Sequence, residues 1–220
     1  MVKTKVKDPE LVKKRQQQIC RGAMKVFRKK GFHAASIREI AAACRMSLGN
    51  LYNYIEAKED ILFLAHRMIL DQIYLQLDRC MERYENPVDQ LVNLVREIHL
   101  MSFRLKDEIL FVYTETKSLD KKYLPEVLGR EQEFVGAIES LIRRGVSEGV
   151  FNSANPKILA NVIAYFGAIV PLRGWNILSD YGEEEVIDEL VALVRKLASA
   201  EIDPPPGAGS TEKAQQGRRS

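Results

Sequence analysis

Apolar positions in this 220-residue chain recur with a helical period almost from end to end. No run alternates apolar and polar residues for long enough to predict a strand. The pattern therefore predicts an all-α protein of about nine helices. A head of three short helices precedes a larger C-terminal bundle, and we place the boundary so that residues 1–55 form the head and 56–202 the bundle.

Capping residues predict where several helices begin and end. Asp8-Pro9 opens the first helix and Gly31 closes it. Ser36 and Glu39 have the spacing of a capping box, in which each side chain bonds the free backbone N–H of the other residue. Three later helices are predicted to open at Asn86-Pro87, Asn155-Pro156 and Gly182-Glu183.

Residues 36–55 predict two short helices separated by a tight turn, which is the arrangement of a helix-turn-helix. Leu51 and Ile55 lie four residues apart and are expected to face the core. The residues left pointing outward are Ser47, Leu48, Asn50, Asn53 and Tyr54. In a DNA major groove, Asn can pair with adenine and an apolar side chain can contact a thymine methyl group. Tyr52, Tyr54 and Lys58 are suited to phosphate.

The net charge of +3 conceals an asymmetry between the two ends of the chain. Residues 1–60 carry 14 Lys and Arg against 6 Asp and Glu, whereas the remainder is mildly acidic. A basic head on an acidic body is typical of a protein that binds a polyanion. On charge alone, a solvated basic face without a partner explains the pattern equally well.

The segment SIREIAAACRMSLGNLYNYIEAKEDIL, residues 36–62, resembles the DNA-binding head of the TetR/AcrR family of transcriptional repressors. The similarity extends over about 11–65. Two positions depart from the family pattern. Family members usually have Gly where this chain has Arg45, and a left-handed backbone there costs roughly 1–2 kcal/mol. Either the turn adapts, or Arg45 tolerates this strain and places a positive charge near phosphate, which is our hypothesis. Ala57 replaces a capping side chain, so the next helix is expected to start loosely or to be capped by Glu56.

The resemblance implies a set of DNA contacts in the head. They are Ser36, Arg38, Arg45, Ser47, Leu48, Asn50, Tyr52, Asn53, Tyr54 and Lys58. Lys58 and Asn53 have no evident reason to belong to a core, whereas the Tyr52 ring is expected to pack as well as to bond.

Residues 158–172 form an uncharged stretch whose apolar residues would surround a helix on all sides. Such a helix must be covered on all sides, and a second subunit can supply the missing cover. The resemblance implies a homodimer through the last two helices, about 156–200, on a near-palindromic DNA operator. The stretch is too short to predict a membrane span, and we expect no membrane partner.

The resemblance also implies that the bundle holds a small hydrophobic effector that releases the repressor from DNA. Candidate contacts are Phe103, Leu110, Tyr113, Phe166, Arg173 and Trp175. Segments such as 115–119 and 142–151 resemble a subset of the family that responds to long-chain acyl-CoA. Drug-like or other hydrophobic effectors remain an open alternative.

Other classes of function receive little support from the sequence. There is no GxSxG motif and no phosphate loop, so we predict that the protein is not an enzyme. Three cysteines and three histidines lie too far apart for a local metal site, and neither a metal nor a cofactor is expected. The thiols are expected to be reduced in a cytoplasmic protein.

Residues 203–220, rich in Pro and Gly, are predicted to be a disordered tail. A helical adaptor without specific DNA binding remains an alternative, which the basic head disfavours.

Overall fold

A computed structural model of the chain describes residues 2–199. Within that range it has ten α-helices and no strand, which confirms the all-α prediction. The helices are α1 (Pro9–Ala34), α2 (Ile37–Ala43), α3 (Leu48–Leu51), α4 (Lys58–Arg83), α5 (Pro87–Arg104), α6 (Lys106–Glu115), α7 (Leu124–Ser147), α8 (Pro156–Phe166), α9 (Ile169–Ile177) and α10 (Glu183–Ser199). A single 3-10 turn, Thr116–Ser118, follows α6. The predicted disordered tail lies outside the described residues.

The predicted capping residues perform their roles at the helix starts. The Asp8 side chain accepts from the N–H groups of Glu10 and Leu11. Ser36 and Glu39 form the reciprocal capping box, with Ser36 N–H donating to the Glu39 carboxylate at 3.0 Å. Asn86 and Asn155 cap α5 and α8 with their side-chain oxygens, which accept from the N–H groups of Asp89 and Ile158. These contacts involve residues at most three positions apart, so local sequence is sufficient to specify them.

The break predicted at Gly31 is present, but the first helix continues beyond it. Gly31 has φ 78° and ψ 166°, a conformation that residues with a Cβ rarely adopt. The chain then makes one further helical turn to Ala34, which brings the Phe32 ring into the core. The glycine is therefore a kink that redirects the chain rather than its last helical residue.

The predicted continuous helix over 158–172 is wrong. The chain bends by 59° between α8 and α9, which is why ten helices are present where about nine were expected. The Ser102 hydroxyl lies 2.6 Å from the carbonyl oxygen of Gly167, a residue in the bend. A Cβ at Gly167 would lie 2.9 Å from the Ile98 side chain, so close packing against α5 accompanies the change of direction.

The helices differ in length and hydropathy from membrane spans. No single helix within residues 2–199 is long and apolar enough to cross a bilayer. By length and composition alone, the bent pair Pro156–Phe166 and Ile169–Ile177 is the one combination there that would suffice.

One hydrophobic core joins the head to the body. It contains buried residues of α1, α2 and α3 together with the first half of α4 and part of α6. Phe27 of α1 stacks on Phe111 of α6 with ring centroids 4.8 Å apart. A second core lies among α4, α5, α7, α8 and α10. Because α4 contributes to both cores, it is the structural connection between the two ends of the molecule.

Candidate nucleic-acid interface and effector cavity

The helix-turn-helix presents a polar face of the predicted kind. Arg38 of α2 and Ser47 at the start of α3 are exposed, and Asn50 and Asn53 are half-buried. The Ser47 hydroxyl accepts from Asn50 N–H at 3.2 Å and thereby caps α3. Leu48 is half-buried against the head core. Ser36, which caps α2, is also exposed.

The two tyrosines that follow α3 differ in exposure. Tyr54 was predicted to point outward, but its side chain is buried, with 5% exposed. Tyr52, which was expected to pack as well as to bond, is 40% exposed. The α-helix ends at Leu51, and the following tight turns, with Tyr54 N–H bonded to Leu51 O, rotate Tyr54 into the core beside Ile55. Residues 51, 54 and 55 are three and four positions apart, a spacing that places side chains on one side of a helix, so the outward prediction for Tyr54 is wrong.

Arg45 has a left-handed backbone, with φ 54°. It is the one residue other than glycine with positive φ in the described part of the chain, and its side chain is exposed. The backbone condition of the Arg45 hypothesis is therefore met, while its contact with phosphate stays a prediction.

Lys58 has an internal role that the sequence did not indicate. Its ammonium group donates to the backbone oxygens of Phe32, His33 and Ala35 at 2.7, 3.1 and 3.1 Å. It also lies 4.7 Å from the centroid of the Phe32 ring. The three donors of the lysine are thus used on carbonyl groups at the end of α1, where a positive charge is favourable.

We expect Lys58→Ala to destabilise the head by about 1.5–3 kcal/mol, because hydrogen bonds from a charged group to three carbonyl oxygens are lost. Urea denaturation followed by circular dichroism measures the change. Lys29→Ala, an exposed lysine of α1, serves as the control and should change stability by less than about 0.5 kcal/mol. If both variants were equally stable, the hydrogen bonds of Lys58 would not stabilise the head, and its role would be confined to binding DNA.

The start of α4 is capped by Asp60 rather than by the expected Glu56. One carboxylate oxygen of Asp60 accepts from the N–H groups of Glu56 and Ala57 at 2.7 and 3.0 Å. The other accepts from the Tyr123 hydroxyl at 2.6 Å. The Asp60 side chain is fully buried. Burial raises the pKa of the Tyr123 hydroxyl, and the hydrogen bond to this carboxylate raises it further. Asp60 therefore fixes the start of α4 to the segment that precedes α7.

A cavity of about 240 Å³ lies in the body between α4, α5, α6, α7 and α8. Its interior is mainly apolar. The α4 residues His66, Ile69, Leu70 and Ile73 line it, opposite residues that include Met101, Ile109, Val112, Phe134 and Ala164. The exposed side chains at its mouth are Tyr113, Glu131, Asn161 and Tyr165. No Lys or Arg side chain is among these lining residues.

Two titratable groups give the cavity its polar character. His66 is 5% exposed, and its Nε2 atom has no hydrogen-bond partner within the described part of the chain. Burial lowers the pKa of His66 to about 4, so the ring is neutral near pH 7. Glu131 is exposed at the mouth, but partial desolvation of its carboxylate there raises its pKa above the ordinary value. The cavity thus suits a small apolar molecule with a polar group that can reach His66.

Of the six predicted effector contacts, the structure places only Tyr113 in this cavity. Leu110 is on the outer side of α6, Phe103 packs among other core side chains, and Phe166 faces a groove outside the cavity. Arg173 and Trp175 are exposed and pair with each other, with the guanidinium 5.4 Å from the ring centroid. These residues were selected for being aromatic or amphipathic, a property that does not determine which side of a helix faces the cavity.

Comparisons with known proteins identify the architecture. Residues 19–65 match the family model described as bacterial regulatory proteins, tetR family, and residues 84–197 match the tetracyclin repressor-like C-terminal domain. The chain is 30% identical over 202 residues to the HTH-type transcriptional regulator HbdR of Aromatoleum sp. (strain CIB), which covers 90% of this chain and 87% of HbdR.

The chain belongs to the TetR family. Solved structures agree with this assignment at the level of the fold. A tetR-family regulatory protein from Rhodococcus RHA1 superimposes with a TM-score of 0.72 at 21% identity, over 86% of this chain and 99% of that one. AibR in complex with isovaleryl coenzyme A and operator DNA superimposes with a TM-score of 0.67 at 23% identity, over 81% and 97%.

The TetR head model includes the positions of all ten predicted DNA contacts, because it spans 19–65. Two residues important to this TetR-family site were missed by sequence reasoning. The spacing of Asp60 from Ala57 carried a signal, since an acidic residue in the third helical position can reach back to the cap. His66 carried none, because a single histidine in an apolar stretch is indistinguishable from an ordinary core residue.

We expect the stability of this TetR-family protein to decrease between pH 6.5 and about 4 through His66. In that range the unfolded chain protonates His66 whereas the folded protein does not, so folding is disfavoured as the pH falls. The His66 contribution at pH 4 is about 3 kcal/mol. Urea titrations of the wild type and His66→Gln at pH 7 and 4.5 measure the difference. A difference between the two proteins that is independent of pH would contradict a neutral buried His66.

Proposed function

We propose that the protein is a ligand-responsive transcriptional repressor that binds a near-palindromic operator as a homodimer and is released by a small hydrophobic effector. The observation that carries the proposal is the position of α4. Its first turn supports the helix-turn-helix through Lys58 and Asp60, and its middle lines the cavity through His66 and Ile69.

In the proposed complex, α3 enters the major groove. Asn50 and Asn53 read base edges, and Leu48 contacts a thymine methyl group. Ser36, Arg38, Arg45, Ser47 and Tyr52 contact the phosphate backbone and set the register. Tyr54 and Lys58 have no direct part, because their polar groups or rings are occupied within the head.

Fluorescence anisotropy on the DNA immediately upstream of the protein's own gene tests this proposal. We expect tight, salt-sensitive binding to that fragment or to an operator found by genome-wide site selection. Asn53→Ala should reduce discrimination between operator and random DNA by about 1–3 kcal/mol, whereas Arg38→Ala should weaken both alike. If Asn53→Ala discriminated between operator and random DNA as well as the wild type, Asn53 would not read bases. If no operator could be selected, the repressor function would be overturned.

Dimerisation is supported by apolar side chains exposed on the last helices. Ile158 and Tyr165 of α8 are 61% and 60% exposed, and Trp175 of α9 is 74% exposed. Leu193 and Leu197 of α10 are also exposed. Apolar exposure on this scale is typical of a protein interface. Two heads held together can occupy successive major grooves about 34–36 Å apart. Ile158→Glu should convert the dimer to monomers in sedimentation velocity, while Ser140→Glu on α7 should not.

For the effector we propose a short-chain acyl-CoA, with the acyl group in the cavity. The volume is below the about 300–1,000 Å³ of sites for drug-sized molecules, which favours a short chain over the long chain expected from sequence. AibR, which shares the fold, was crystallised with isovaleryl coenzyme A. Because no cation lines the cavity, the CoA phosphates would remain outside its mouth.

Anisotropy of the operator complex with isovaleryl-CoA, palmitoyl-CoA and free CoA distinguishes the effector classes. Release by isovaleryl-CoA alone is the expected result. Ala164→Phe should fill the cavity and abolish release without weakening DNA binding. Release by palmitoyl-CoA alone would overturn the size argument, and release by none would favour a drug-like hydrophobic ligand.

Release would occur through α4, because a ligand in contact with His66 and Ile69 displaces the helix that carries the head. An effector can do this only if it binds the two conformations with different affinity. Spin labels at Arg21→Cys on exposed α1 report the distance between the two heads. The native thiols are buried and the pKa of each is raised, to about 12 for Cys20, so they should not be labelled. Identical distances with and without a releasing ligand would exclude this mechanism.

A further inference from the structure

The N-terminal segment 2–7 lies against the head in an alternating arrangement. Val2 is 3% exposed and belongs to the head core, and Val6 packs partly buried against the same core. Between and after them, Lys3, Lys5 and Lys7 are exposed. More buried and exposed side chains thus alternate along the arm, which bends at Lys5. The apolar side of this arm therefore faces the protein and the basic side faces solvent.

A backbone hydrogen bond fixes where the arm lies. The Lys5 N–H donates to the Asn53 carbonyl oxygen at 2.9 Å. Asn53 lies two residues after the end of α3 and is one of the residues proposed to read bases. The Thr4 hydroxyl donates to the Val6 carbonyl oxygen at 2.9 Å, which satisfies a further backbone group of the arm. The arm thus runs beside the C-terminal end of the recognition element.

The charge of the arm is not balanced locally. Its three lysines form no ion pair within the described residues, and the acid that directly follows them, Asp8, is used to cap α1. The three lysines alternate with Thr4 and Val6, and the chain bends at Lys5. A row of free cations bordering a base-reading surface is suited to the DNA phosphate backbone.

We propose that residues 2–7 form a second DNA-binding element, in which Lys3, Lys5 and Lys7 bind backbone phosphates that flank the bases read by α3. The proposal rests on the DNA-binding function proposed above. The arm lies outside the residues matched by either family model, 19–65 and 84–197, so the helix-turn-helix assignment does not include it. Docking through Val2 and the Lys5–Asn53 bond orders the arm before DNA binds, which reduces the entropic cost of using its charges.

The test is the salt dependence of DNA binding by a Lys3→Ala/Lys5→Ala/Lys7→Ala variant of the full chain. Each lost phosphate contact reduces the slope of log K against log salt by about 0.9, so three contacts reduce it by about 2.7 per head. Affinity for operator and for random DNA should fall by a similar factor, about tenfold or more at low salt. The matched control is Lys106→Ala/Lys117→Ala/Lys121→Ala, which removes the same charge from exposed positions of the body. Its salt slope should be close to that of the wild type.

A second variant separates docking from charge. Val2→Ser/Val6→Ser retains all three lysines but weakens the contact with the core, and we expect an affinity between those of the wild type and the lysine variant. Thermal unfolding of the lysine variant should match the wild type because the substituted side chains are exposed. If the lysine variant kept the affinity and salt slope of the wild type, the proposed role of the arm in DNA binding would be overturned and the repressor function would stand. Failure of the wild type to bind any DNA would overturn both.

Discussion

Asp60→Ala should destabilise the protein by about 3–5 kcal/mol. The change removes a fully buried carboxylate that is the acceptor for two part-buried backbone N–H groups, of Glu56 and Ala57, and for the buried Tyr123 hydroxyl. Each buried donor that loses its partner costs about 1–3 kcal/mol. Because the same carboxylate attaches α4 to the segment before α7, operator affinity should fall together with stability. Urea unfolding followed by circular dichroism provides the measurement.

Two further variants make the Asp60 result specific. Tyr123→Phe removes one of the three bonds and should cost about 1.5–3 kcal/mol, since the acceptor is charged. Asp78→Ala removes an acid from an exposed position of the same helix and should change stability by at most about 0.5 kcal/mol. If Asp60→Ala behaved like Asp78→Ala, the carboxylate would not hold the start of α4.

Gly22→Ala should cost about 3 kcal/mol and abolish operator binding. A Cβ at Gly22 would lie 2.3 Å from the Cys44 sulfur and 3.2 Å from the Cys44 backbone nitrogen. The atoms in the way include backbone, so α1 and the end of α2 must move apart. Overpacking of this kind costs about 1–3 kcal/mol and occasionally more. The displacement also changes the orientation of α3, which follows Cys44 after a short turn. Unfolding in urea and operator anisotropy report the two effects.

A rescue and a control distinguish overpacking from an effect on helix propensity. Adding Cys44→Ala to Gly22→Ala removes the sulfur that the new methyl group meets and should restore part of the lost stability. Gly136→Ala in α7 meets no atom within 4 Å and should stabilise the protein by about 0.5–1 kcal/mol. Destabilisation by Gly136→Ala of the same size as by Gly22→Ala would contradict the steric explanation.

The recognition surface could be predicted from sequence where short-range rules suffice. Ser36 and Ser47 cap their helices as their positions indicate. The interpretation failed at Tyr54, which was assigned to the outer face although it lies three residues after Leu51, on the same side of the helical turn. Its side chain is buried with Leu51 and Ile55 in the core.

The effector cavity was much less predictable. Its lining comes from five helices distributed over more than one hundred residues, and an apolar residue looks the same in sequence whether it lines a cavity or fills a core. Tyr113 was identified, whereas Arg173 and Trp175 lie elsewhere on the surface. Lys58 shows the same limitation for a charged residue, because the three carbonyl groups it binds are 23–26 positions earlier in the chain.

The sequence by itself determined the all-α class, most helix boundaries, the helix-turn-helix and the basic character of the head. These properties depend on periodicity, capping and composition, which act over a few residues or over the whole chain regardless of contacts. Only the tertiary structure decided that Asp60 meets Tyr123, 63 positions away, that 158–172 bends, and that the N-terminal arm lies beside Asn53. Each of these depends on which distant side chains and backbone groups fill the same space, and close packing, rather than local preference, selects among the alternatives.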